Sequence, residues 1–81
     1  MRGSLEITVY PFQEGEQAPA HVEATMGALR NAGLQVDLEA FAVVARGDMA
    51  ALVGALPRVI DAALAAGATK VALSLEVDRV G

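Results

Sequence analysis

Leu5, Ile7 and Val9 alternate with Glu6, Thr8 and Tyr10 in the run Leu5–Pro11. A period of two predicts a β-strand with one buried face. Pro11 cannot donate a ladder hydrogen bond and closes the run. The same alternation returns in Leu34–Glu39, where Leu34, Val36 and Leu38 are the inward set, and in Lys70–Val77, where Val71, Leu73, Leu75 and Val77 are inward. A fourth β-rich run, Phe41–Arg46, follows a poorly marked turn at Glu39-Ala40. Half-apolar strands of this kind need a layer to cover one face only.

Two amphipathic segments supply that layer. The first opens at Ala18-Pro19, carries Val22, Met26 and Leu29 as a stripe, and ends at Gly33, a residue suited to a left-handed helix terminus. The second is capped by Asp48, buries Leu52, Val53, Leu56, Val59, Ile60 and Ala63, and ends at Gly67. Pro57 inside it predicts a kink or break near Gly54–Leu56, because proline lacks an N–H and crowds the carbonyl of Val53. Arg58 and Asp61 are spaced as a surface ion pair. The order strand, helix, strand, strand, helix, strand predicts an α+β ferredoxin-like βαββαβ sandwich, a four-stranded antiparallel sheet with both helices on one face. Residues 1–81 form a single domain in this reading, with the first and third strands central.

Composition narrows the function classes. No cysteine is present, which removes disulfides, thiolate metal sites and cysteine nucleophiles. The net charge of −4 disfavours nucleic acid and suits a cationic small molecule. No apolar run reaches the ~20 residues of a membrane span, and no signal-peptide core follows the start. The expected location is therefore cytoplasmic. A hydrophobic content of 54% in 81 residues predicts self-association. His21 is a lone histidine and reads as a surface residue, not a metal ligand. Glu6, Glu39 and Glu76 have no nucleophile or metal cluster beside them, so catalysis is not expected and no cofactor is implied. The Glu14-Gly15-Glu16 loop is a solvated segment placed to act as a lid.

The uncovered face of the sheet is the candidate site. Strand parity puts Glu6, Thr8 and Tyr10 there, together with Gln35, Asp37 and Glu39, with Phe41, Val43 and Ala45, and with Ala72, Ser74 and Glu76. A solvated face, an oligomer interface and a ligand pocket are the alternatives.

The run ITVYPF, the Gly47-Asp48 step into the second helix, and GATKVALSLEVDR at the end resemble the thiamine-binding (YkoF-like) family, in that order and over nearly the whole chain. The resemblance implies a non-enzymatic binder of thiamine or its hydroxymethylpyrimidine part, assembled as a homodimer or homotetramer through its sheets. The chain departs from the family pattern at Val43 and Arg46, where a threonine and a glutamate are common, and at Glu39-Ala40, where glycine or proline is common. Thiamine is a permanent cation with an aminopyrimidine ring. Tyr10 and Phe41 would give it an aromatic wall, Thr8, Ser74 and Glu39 polar contacts, and Val43 an apolar neighbour. A structural or regulatory assembly module without a small ligand is the alternative, and an oligomeric enzyme enclosing its substrate a third.

Overall fold

The computed structural model describes residues 1–11, 19–40 and 42–79. Four strands, β1 (Arg2–Tyr10), β2 (Gln35–Glu39), β3 (Ala42–Asp48) and β4 (Lys70–Val77), alternate with helices α1 (Ala20–Asn31) and α2 (Met49–Ala65) in the order βαββαβ. The sheet order is β2-β3-β1-β4, antiparallel throughout. α1 lies against β2 and β3, while α2 lies against β1, β3 and β4. The ferredoxin-like sandwich expected from the chain order is therefore the fold observed.

Leu5, Ile7 and Val9 of β1 pack against Val22, Met26 and Leu29 of α1 and Leu52, Ala55, Val59 and Ala63 of α2 in one continuous core. The stripes read from the sequence supply most of it. Pro19 caps α1, its carbonyl accepting from the amides of Val22 and Glu23 at 3.0 Å each. Asp48 caps α2 by accepting from the Ala50 amide at 3.1 Å. The N-terminal ammonium, 3.3 Å from its Oδ1, and the Ala50 amide together hold the Asp48 carboxyl below the usual carboxylate range. That contribution is present at neutral pH and is lost as pH falls through the lowered value. Gly33 and Gly67 take positive φ at the two helix ends, +79° and +109°.

Four expectations are corrected. Val43 and Ala45 do not face outward. Val43 pairs with Ile7 and Leu38, Ala45 with Leu5 and Val36, and paired residues share a face. Both therefore point into the core, where Val43 is 1% exposed. Ala42, Val44 and Arg46 take the outer positions instead, paired with Glu39, Asp37 and Gln35.

His21 is buried, not at the surface. Its Nε2 lies 2.7 Å from the Pro11 carbonyl oxygen, which can only accept, so the ring donates through that nitrogen. Thr25, also buried, donates to the His21 carbonyl at 2.7 Å. α2 runs unbroken through Pro57. Pro57 and Val53 are both exposed, so the Val53 carbonyl released by proline lies on the solvent side of the helix. Finally, Arg58 and Asp61 form no ion pair among the described residues.

The fourth strand agrees in direction but not in depth. Leu73 and Leu75 lie on the helix side, opposite Ile7 and Leu5, yet are 40% and 37% exposed. β4 is an edge strand that the helices cover only in part.

Gly3 and Gly47 pair at the far end of β1 and β3. A Cβ on Gly3 would collide with the Met49 sulfur and the Glu76 carbonyl oxygen. The sulfur can swing aside; the backbone oxygen of a hydrogen-bonded strand cannot. Gly3→Ala is expected to cost about 1–3 kcal/mol by overpacking. A urea denaturation midpoint equal to that of the parent would show that the β1–β4 spacing is slacker than described.

Candidate functional site

Strand pairing fixes rows of side chains across the open face. One row runs Asp37, Val44, Glu6, Ser74 and the next runs Gln35, Arg46, Ser4, Glu76. Thr8 stands opposite Ala72, and Tyr10 opposite Lys70. Each row crosses all four strands, so residues far apart in sequence meet on one surface.

Glu6, Thr8, Ala72, Leu73 and Ser74 line an open groove of ≈ 210 Å³ between β1 and β4. Two of the residues expected in the site, Thr8 and Ser74, therefore come together. Tyr10 lies one alternation further along β1, half-buried, with the Lys70 ammonium 4.9 Å from its ring centroid. Its aromatic face is already engaged by a cation.

Glu39 belongs to a separate cluster. Arg46 bonds Asp37 at 3.3 Å and approaches Glu39 at 4.0 Å. All three side chains are about half exposed, and an exposed network of this kind contributes little to stability. Its effect is to commit the Arg46 charge to β2 and leave β1 without it. Val43 lies on the opposite side of the sheet, lining a narrow crevice with Ile7, Val22 and Leu38. Phe41 and the Glu14-Gly15-Glu16 loop lie outside the described residues.

Glu6 is the residue that the expected site set omitted, although its parity with Thr8 and Tyr10 had placed it on this face. It projects from the central β1 strand between Val44 and Ser74. Among the described residues no cation lies within ion-pair distance of it. The open face carries Glu6, Asp37, Glu39 and Glu76 against Arg46 and Lys70. A ligand entering the groove therefore meets an uncompensated carboxylate flanked by two hydroxyls, on an acidic surface. Such a site accepts hydrogen bonds from a cationic or amino-bearing group and repels phosphate. No helix in the described residues is long and apolar enough to cross a membrane.

The model of the family described as thiamine-binding protein matches residues 5–80. Solved structures share the fold at low identity. A hypothetical protein from Methanocaldococcus jannascii superposes with TM-score 0.70 at 20% identity, covering 99% of this chain and 81% of that one. A candidate thiamine biosynthesis/salvage protein from Thermotoga maritima gives TM-score 0.69 at 12% identity, covering 99% and 85%. A domain of unknown function from Bacillus cereus gives TM-score 0.67 at 18% identity, covering 98% and 76%. No curated protein matches the sequence.

Proposed function

Because the chain belongs to the thiamine-binding protein family, we propose that it binds thiamine or its hydroxymethylpyrimidine part in the groove between β1 and β4, as a homo-oligomer and without catalysis. The observation that carries this reading is the unpaired carboxylate of Glu6 at the groove, beside Thr8 and Ser74. An aminopyrimidine offers an amino donor and ring nitrogens to one carboxylate and two hydroxyls, and a hydrogen bond to a charged acceptor is about twice as strong as a neutral one. Lys70 already occupies the Tyr10 ring, so the pyrimidine, not the thiazolium, is the part that the groove holds. The thiazolium is drawn by the surrounding negative field.

A groove of ≈ 210 Å³ is smaller than the roughly 300–1,000 Å³ of sites that enclose a drug-sized ligand. One chain supplies a floor and one wall, and a second copy supplies the closure. The absence of cysteine is compatible with work in the cytoplasm.

Isothermal titration with thiamine, hydroxymethylpyrimidine and thiamine phosphate tests the reading. Heat is expected from the first two and less from the phosphate. Glu6→Gln is expected to weaken binding about tenfold, the equivalent of ~1.4 kcal/mol, while Glu23→Gln, on the exposed face of α1, leaves it unchanged. Silence from all three ligands would leave the ligand-free assembly module as the better account.

A further inference from the structure

Six large hydrophobic residues are conspicuously exposed among those described: Met1, Leu38, Val53, Leu64, Leu73 and Leu75. Four of them lie on one side of the molecule. Leu73 and Leu75 stand on the helix side of β4. Val53 and Leu64 belong to a stripe of α2 that runs Met49, Val53, Leu56, Ile60, Leu64, at spacings of four, three, four and four. Met49 anchors that stripe to the β1–β4 end of the sheet, since its sulfur lies where a Gly3 side chain would meet it beside the Glu76 carbonyl. The apolar flank of α2 and the apolar row of β4 therefore adjoin.

The backbone of β4 is equally open. Asp78 donates to the Arg2 carbonyl at 3.0 Å, so the even-numbered residues of β4 turn their polar groups toward β1. By the alternation of an antiparallel ladder, Val71, Leu73, Leu75 and Val77 turn theirs outward. Exposed edges are ordinarily guarded by proline, bulges, short length or inward-pointing charge. The opposite edge, β2, is five residues long and carries Asp37 and Glu39. β4 is eight residues long, has no proline or glycine, and presents no charge on its helix side.

The geometry points to antiparallel pairing of β4 with β4 of a second copy, about a two-fold axis through Leu73, giving one eight-stranded sheet. This gives a location to the homo-oligomer of the proposed function and rests on that part of it alone; it holds whatever the ligand is. In this register Leu73 meets its own counterpart, Val71 meets Leu75, and Ala72 meets Ser74. Lys70 meets Glu76 twice, once on each side of the axis. Every pair keeps like face against like face, and the outward-turned residues oppose one another, as exchange of hydrogen bonds requires. Leu73 and Leu75 of both copies come together between the two α2 flanks. On the other face, Ala72 and Ser74 line the groove of one copy and adjoin the same pair of the second, so that each copy walls the other's groove.

Because the chain has no cysteine, single introduced thiols report the register cleanly. Leu73→Cys is expected to cross-link to a dimer under mild oxidation, since directly opposed residues of a hydrogen-bonded pair sit about 5.5 Å apart, within disulfide reach. Ser74→Cys is expected to cross-link poorly. Sedimentation should give the parent chain twice its 8.3 kDa mass. Glu76→Lys and Lys70→Glu should each weaken the dimer at least tenfold, and the double exchange should restore it. Leu73→Pro removes a donor that points away from β1 and should yield a folded monomer by circular dichroism. A monomeric parent would overturn both this interface and the homo-oligomer reading. An oligomer unmoved by the charge reversals and by Leu73→Pro would overturn the interface and leave that reading standing. Cross-linking through position 74 in preference to 73 would overturn the register.

Discussion

Val43→Asp is expected to abolish the fold at neutral pH. Val43 is 1% exposed and stands between Ile7 and Leu38 on the covered side of the sheet. A carboxylate there has no cation within the core cluster to pair with. An uncompensated buried charge costs about 3–5 kcal/mol. A domain of this length, at roughly 0.05–0.15 kcal/mol per residue, holds on the order of 4–12 kcal/mol in all. One substitution would thus consume a large share of the total, and in the lower part of that range all of it. The neighbouring position gives the control. Val44 lies on the open face between Asp37 and Glu6, where a polar atom reaches water, so Val44→Thr should cost less than ~1 kcal/mol, against about 1–3 kcal/mol for burying the same hydroxyl at Val43. Far-ultraviolet circular dichroism and urea titration of the three variants decide the matter. A well-folded Val43→Asp, or a reversed ranking of the two threonine variants, would mean that β3 presents its other face to the helices.

The misplacement of Val43 has a physical origin. In β1, β2 and β4 apolar and polar residues alternate, and parity alone names the covered face. In β3 the sequence Ala42-Val43-Val44-Ala45 is apolar on both faces, so nothing local chooses between them. The choice is made by the pairing partners, Ile7 and Leu38 for Val43, and those follow from the hairpin register. His21 was obscured for a related reason. Its place in the first turn of α1 disfavours a charged ring, but a neutral one that donates to the Pro11 carbonyl is well accommodated, and that partner lies on another element. Pro57 signalled a break that the helix avoids because the unpaired carbonyl faces water. The groove itself was half legible. Parity placed Glu6, Thr8 and Ser74 on one face, but their convergence depends on β4 lying next to β1 in the order β2-β3-β1-β4. Glu39 shares that face and still falls two strands away from β1, held by Arg46.

The second large effect separates a buried leucine from one that only looks buried in the pattern. Leu52, on α2, is fully buried and packs in the main core. Leu52→Ala should cost ~2–5 kcal/mol, combining lost transfer energy with the cavity left behind. Leu73 has the same residue type and an equally regular alternation, but 40% of it is exposed in a single chain. Alternation reports the direction of a side chain and is silent about what lies above it. For an isolated chain Leu73→Ala should therefore cost no more than ~1 kcal/mol, since part of the side chain never leaves water. If β4 pairs across a two-fold axis, the remaining surface is buried only in the dimer, and the cost must grow with protein concentration, as any equilibrium linked to association does. Thermal unfolding at micromolar and at near-millimolar protein tests this directly. The Leu52→Ala deficit should be nearly the same at both concentrations, and the Leu73→Ala deficit should widen at the higher one. A Leu73→Ala deficit as large as that of Leu52→Ala in dilute solution would mean that the helix layer reaches over β4 after all, and the edge would lose its claim as a contact surface.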